Sequence, residues 1–479
     1  MKNHIRQRRH TMNLSVIEGS LYSCMVGFAQ YFITPYAVFL GMSNFMIGLL
    51  RSISSLVSAL GFYLSPLLMQ FEEKRKETIS KFVSYQAYTI ILFLLIPLFP
   101  FDKSILFIIF YSLFLFFGSL ISPIWTSLMK DVVLKKERGS YFGMRNKLAG
   151  LFEVGSSLVA GAILSYFTNN VYLGFITIFI FAFIFRIFSS NLILKHWDPV
   201  ARSKRPMHKS QGFDLKLLIL NDAYLNNLIL LGGGMLFATN VAGPFFAVFM
   251  LKNLNFSYLD FTIATIASTL ATLISQPYWG KLIDKYGTRP VIFSTSILIP
   301  LIPLLWVPAT DLSYVIIIQL YSGLVWAGFD LAVFNMLLKI SPKNKTQLYS
   351  ASYNGAISIL TFLGMLIGSF IILALDYVDI KMLNSIQIIF IISGLLRFIV
   401  AGIALPRITK HMQVNSLEFF MKTITVYPIK GVLSEVEQGT IFAEQIVVST
   451  SRLIFDPIAS FKRISKGFKA SVSLISPKR

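Results

Sequence analysis

Few ionisable side chains stand inside the long apolar stretches of this 479-residue chain, and those few are where chemistry is expected. A charge in the middle of a bilayer costs about 2.5–3.5 kcal/mol on insertion scales, so each one that is kept is a functional candidate. Asp330 stands nine residues before Lys339, about 13 Å from that end of its stretch at 1.5 Å per residue. A carboxyl at that depth can carry a proton or hold a cation; it can also form a structural pair, with Arg51 as partner. Glu153 follows Arg145 by eight residues, which puts both on one helix face. A proton relay and a link to Arg145 are both open to it. Arg51 can grip an anionic group, because a guanidinium fork matches carboxylate and phosphate, or it can extend its stem toward the membrane face. Arg186 and Arg397 are expected to snorkel or to pair with a loop. Uncharged groups complete a candidate cavity: Gln30, Tyr31 and Thr34 near Pro35, then Thr239 and Asn240 near Pro244, with Trp125, Trp326 and Asn335 on other stretches.

The elements that carry these residues are membrane spans. The chain is 55% hydrophobic and 14% charged, too little charge for a soluble globular surface. A span needs about 20 apolar residues, and twelve stretches qualify, from Gly19–Leu40 to Asn384–Leu405. The basic segment 195–216 separates six from six. The division expected is therefore a six-helix half over 1–194, a linker over 195–216, a second half over 217–405 and a tail over 406–479. Alternate loops and the N-terminal arm hold 26 lysines and arginines, against three in the opposite loops. Positive charge marks the cytoplasmic side, so both termini are expected there, in a multi-pass protein of the cell membrane. This distribution also accounts for the net charge of +21 without nucleic acid. One cysteine, Cys24, excludes an internal disulfide. The five histidines show no metal-ligand spacing, and no phosphate-binding loop occurs. No cofactor and no enzymatic activity are expected.

The stretch Gly280-Lys-Leu-Ile-Asp284-Lys285-Tyr-Gly287-Thr-Arg289-Pro290 stands between two apolar runs. It reads as a charged turn: Gly280 and Gly287 for tight backbone, Asp284 to cap the next helix. It resembles the G-x-L-x-D-K-x-G-x-R loop signature of the major facilitator superfamily. Asp131, Arg138, Gly139 and Arg145, followed by Gly150, Gly155 and Gly161, are similar to the turn between the fourth and fifth helices of that superfamily. The loop after the second span keeps acids and bases but lacks the signature glycines. The two halves also echo one another at a shift of about 210 residues, with Arg186 answering Arg397.

That resemblance implies an all-α fold of twelve transmembrane helices in two six-helix parallel repeats. It implies a secondary transporter of a small solute working by alternating access, with a monomer as the working unit; their places inside apolar spans make Asp330 and Glu153 the candidate proton carriers. The glycines of the fifth and eleventh spans are read as close-packing surfaces at the junction of the halves. Two rivals stay open: a facilitator or exporter of apolar solutes, and a transporter-like sensor signalling through its tail. In that tail, Phe455 to Lys469 spaces apolar and basic residues as an amphipathic helix would, suited to anionic lipid.

Overall fold

A chain that must satisfy its backbone without water does so by winding into helices. The computed structural model describes residues 2–68, 75–134, 138–199, 222–341, 346–376 and 383–409. Among these the regular elements are all helical. They are α1 (Lys2–Ala29), α2 (Ile33–Phe39), α3 (Asn44–Leu68), α4 (Arg75–Leu95), α5 (Lys103–Val132), α6 (Arg138–Tyr166) and α7 (Val171–Leu194). Then come α8 (Ala223–Ala242), α9 (Phe245–Val248), α10 (Tyr258–Tyr286), α11 (Thr288–Leu298), α12 (Leu301–Trp306), α13 (Leu312–Ile340), α14 (Thr346–Leu375) and α15 (Ser385–Thr409). Eleven helical segments are long and apolar enough to cross a membrane; α1 with α2 makes the twelfth crossing. The protein is a multi-pass membrane protein. The amphipathic tail segment 455–469 and most of the 195–216 linker lie outside the described residues.

Helix pairing repeats along the chain. In the first six crossings α1 packs on α6, α3 on α5 and α4 on α7. In the last six, α8 packs on α14, α10 on α13, and α11 with α12 on α15. Between the two sets, α3 meets α14 and α6 meets α10. Small residues permit the closest approaches. A Cβ on Gly368 would stand 2.1 Å from the Val241 carbonyl oxygen, and one on Gly364 2.4 Å from that of Phe237. Gly161 of α6 abuts Thr262 of α10 in the same way, whereas Gly155 faces no neighbour.

Contacts between the two sets gather at one end, that of the sparsely charged loops. Lys252 Nζ donates to the Met42 carbonyl at 3.2 Å, and the Leu259 amide to Ser165 Oγ at 3.1 Å. Phe175 meets Tyr258 edge to face, and Phe45 lies against Phe370. Gly48 of α3 is pressed against Ser369 of α14.

Several local expectations are corrected. The first helix starts at Lys2, far before Gly19, because the basic arm and the apolar run share one helical register. Gly280 to Tyr286 is not a turn: α10 continues through it. The reversal is made by Gly287 alone, at φ 86, a left-handed conformation that favours glycine. Asp284 therefore stands exposed on α10, and α11 begins without a side-chain cap. Lys285 lies against the Tyr286 ring, and Arg289 is on α11.

Arg186 and Arg397 do not snorkel; both are buried. Arg186 Nε donates to Gln86 Oε1 at 2.8 Å and Nη1 to Ser189 Oγ at 3.3 Å, with the Tyr22 ring beneath the guanidinium. Ser189 Oγ donates to Glu18 Oε1 at 3.1 Å, and Arg145 Nη2 reaches Glu18 Oε2 at 3.4 Å. A carboxylate thus balances two arginines where α1, α4, α6 and α7 meet. Among the described residues Arg397 has only the Ile299 carbonyl, at 3.2 Å, and its Nε is buried without a partner.

Candidate functional site

Two crossings are interrupted where polar residues cluster. In the first, α1 gives way to a 3₁₀ turn at Gln30–Phe32 before α2 resumes. Pro35 has no N–H to donate back to the preceding turn, which loosens the helix there. In the seventh, α8 ends at Gly243, Pro244 opens the short α9, and a π turn follows at Phe249–Asn253. Short 3₁₀ and π pieces inside long helices often mark functional sites.

Both interruptions border one cavity of about 450 Å³, within the range of small-molecule pockets. The first six crossings supply its charge and most of its polarity: Gln30, Tyr31, Thr34, Arg51 and Glu153. Tyr31 Oη donates to Glu153 Oε1 at 2.9 Å. Arg51 Nη2 and Nε donate to Thr34 Oγ1 at 2.8 and 3.2 Å, and Nη1 to Tyr111 Oη at 3.2 Å. The guanidinium lies 5.7 Å from the Tyr111 ring centre. The last six crossings contribute Gly243, Phe246, Ala247 and Met250, with Phe261, Thr265 and Gln319. Opposite charges on one wall and an apolar surface facing them can orient a solute that has both polar and apolar parts.

The other candidate residues lie elsewhere. Asp330 is exposed on α13, outside this cavity, and makes no hydrogen bond or ion pair among the described residues; Tyr353 is within its electrostatic reach. Its pairing with Arg51 does not form, since Arg51 is held by two hydroxyls. Nor does Glu153 pair with Arg145, which is committed to Glu18 and to the Ser15 carbonyl. Trp125 lies under the Arg145 guanidinium at 4.4 Å, its Nε1 buried without a partner among the described residues. Thr239 Oγ1 is likewise buried without a partner among the described residues, while Asn240 bonds the Leu236 carbonyl of its own helix. Asn335 does the same to Leu331, and Trp326 packs edge to face on Phe329. Asp131 accepts from Arg75 Nη1 at 2.8 Å; Arg75 also grips Asp198 at 2.6 Å, tying the ends of α4 and α5 to the segment after α7. Arg138 and Gly139 open α6.

Sequence reasoning missed Thr265, Gln319 and the apolar wall, which carry no ionisable signal. It also missed Glu18, which stands just before the apolar run begins. Among the described residues no group of three histidines, cysteines or acids is arranged to hold a metal ion.

Comparison with known proteins places this geometry. No curated protein matches the sequence. Among solved structures, a point mutant of the nucleoside transporter NupG superposes with a TM-score of 0.65 at 13% identity, over 83% of this chain and 99% of that one. A bacterial homologue of the iron transporter ferroportin, in an inward-facing state, gives 0.63 at 12%, over 84% and 98%. A POT family transporter in complex with 5-aminolevulinic acid gives 0.61 at 12%, over 84% and 96%. The family model of the Major Facilitator Superfamily matches residues 228–434. The later helices thus match the Major Facilitator Superfamily model, and the chain shares the fold of these transporters over more than four fifths of its length.

Proposed function

We propose that the protein moves a small solute by alternating access, coupled to protons through Glu153 or Asp330. The observation that carries this reading is the cavity itself. It lies where two interrupted crossings face each other, one from each six-helix set, which is where such transporters bind their solute. The halves, 1–194 and 217–405, rock about this site, joined by 195–216. Both termini and the 406–479 tail lie on the cytoplasmic side of the cell membrane, and the monomer is the working unit. On that orientation the end where Gly48 meets Ser369 is the outer face, and it is the closed one. The solved neighbours include a nucleoside transporter and a metal transporter, so the fold alone does not pick the cargo.

The test is a pH-change assay in proteoliposomes challenged with a broad metabolite mixture and lipophilic compounds. Solute-dependent proton movement is expected in the wild type and is lost in Glu153→Gln or Asp330→Asn. Full uphill transport with unchanged pH dependence in both variants would overturn the coupling assignment. Flux without proton movement would mean a facilitator.

A further inference from the structure

We propose that the cavity takes a small zwitterion, with its carboxylate on Arg51 and its ammonium on Glu153; this rests on reading the cavity as the solute site. Arg51 has five N–H groups in a fixed fork. Three are used, on Thr34 and Tyr111, leaving one on each terminal nitrogen. Both partners are hydroxyls, so they fix the guanidinium without neutralising it. Among the described residues no carboxylate pairs with it. An oriented cation with an N–H left on each terminal nitrogen and no counter-ion among the described residues is suited to receive a carboxylate.

Glu153 is its opposite pole. Oε1 accepts from Tyr31, and Oε2 bonds no described residue. A carboxylate with a free oxygen in the same cavity calls for a cationic donor. Tyr31 and Thr34, which hold the two poles, are three residues apart on one segment, about 5 Å along its axis. The poles are therefore offset by one turn, within the span of one small molecule. A solute bearing both charges compensates both poles. An anion alone leaves Glu153 desolvated without a partner, and a cation alone leaves Arg51 so, each a loss of binding. An uncharged nucleoside or sugar compensates neither. On the facing wall Phe246, Ala247, Met250 and Phe261 are apolar, so the zwitterion carries a short apolar body.

The full chain in proteoliposomes is offered a radiolabelled amino-acid hydrolysate together with γ-aminobutyrate and glycine betaine. Each compound that binds is then competed with its amide, which keeps only the cation, and its deaminated acid, which keeps only the anion. At least one zwitterion is expected to bind, and each singly charged analogue to compete at least tenfold more weakly. Arg51→Gln should erase the gap between zwitterion and amide, and Glu153→Gln that between zwitterion and acid. Arg51→Lys, which keeps the charge but not the fork, should bind between wild type and Arg51→Gln, and all variants should elute as the wild type does in size exclusion. Equal competition by amide or acid overturns the proposal. So does transport of a neutral or singly charged metabolite with no zwitterion bound, an outcome that leaves the transporter reading standing. If nothing in either mixture moves, the transporter reading itself fails.

Discussion

Gly48 offers a direct test of whether the contacts at one end of the helices define a closed state. A Cβ added there would stand 2.0 Å from Ser369 Oγ, 2.8 Å from Ser369 Cβ and 3.3 Å from Phe245 Cζ. The Ser369 hydroxyl, now bonded to the Met365 carbonyl, can rotate away. Its Cβ cannot, being fixed to the backbone of α14. Gly48→Ala must therefore part α3 and α14 by at least the difference between 2.8 and 3.4 Å, where ordinary contact begins. Overpacking of this kind costs about 1–3 kcal/mol. Only the state with this end closed bears that cost, so the balance between states should move about 5–150-fold toward opening. The assay replaces the one native cysteine (Cys24→Ser) and adds Thr265→Cys in the cavity. An impermeant maleimide applied from the α2–α3 side then labels only molecules open at that end. Gly48→Ala should raise the labelling rate at least about fivefold, and Ser369→Gly, which removes the opposing Cβ, should return it to baseline. An unchanged rate, or a rise that Ser369→Gly does not reverse, would refute the reasoning.

The two repeat-related arginines should respond in opposite ways to methionine. Arg186→Met strands Glu18 with one cation fewer and leaves Gln86 Oε1 without its donor, a loss of about 3–5 kcal/mol for a broken buried charge network; the detergent-solubilised protein should melt well below wild type. Arg397→Met removes a buried guanidinium with an unpartnered Nε and should be neutral or stabilising by about 1–4 kcal/mol in the same melting assay. Glu18→Gln should lower the melting temperature as Arg186→Met does, and the double variant should lose less than the two losses added, because the residues share one network. His196, after α7, is held down at about 4 by burial and by the positive charges of Arg145, Lys76 and His10. The unfolded chain takes up a proton near pH 6.5 and the folded one does not until about 4. Stability is thus complete above about pH 6.5 and falls as pH drops toward 4, by about 3 kcal/mol in all. Melting curves across that range should show the fall, and His196→Gln should flatten it.

Much of this organisation is legible in the residues. Apolar runs fix the crossings, because a bilayer admits no other solution for the backbone. Tyr31, Arg51 and Glu153 stand out as polar or ionisable groups in apolar surroundings, and the structure brings all three to one cavity. Their partners are harder to read. Tyr111 looks like any other aromatic in a phenylalanine-rich helix, and only the fold puts its hydroxyl beside Arg51. On the seventh crossing the cavity is lined one turn later than Thr239 and Asn240, because the helix breaks at Gly243–Pro244. Burial and snorkelling cannot be told apart from an arginine's position in an apolar run, so Arg186 and Arg397 needed the packing of neighbouring helices. Gly280 fails as a turn residue for a related reason: a helix does not stop where the membrane stops, and nothing before Gly287 breaks the register of α10.

The two arginine sites show how one repeat can diverge without losing its fold. Both guanidiniums occupy equivalent places, buried on the last helix of each six-helix set. In the first set Glu18 answers the charge. In the second, Arg397 has only the Ile299 carbonyl among the described residues. The acid–base lattice therefore braces α1, α4, α6 and α7, whereas Arg397 meets no acid among the described residues. Arg51 and Glu153 also lie in the first six crossings, whereas the second set gives the cavity glycine, glutamine, threonine and apolar side chains. In the alternating access proposed above, one half rocks against the other about the site. A charged network that loses several kcal/mol when any member is removed suits the wall that holds the solute. Apolar contacts tolerate small shifts and suit the wall that moves. The same division explains why the tightest approaches between the sets, Gly48 on Ser369 and Gly161 on Thr262, use small side chains without bonds between them. Such contacts close a face tightly and open it again without stranding a polar group.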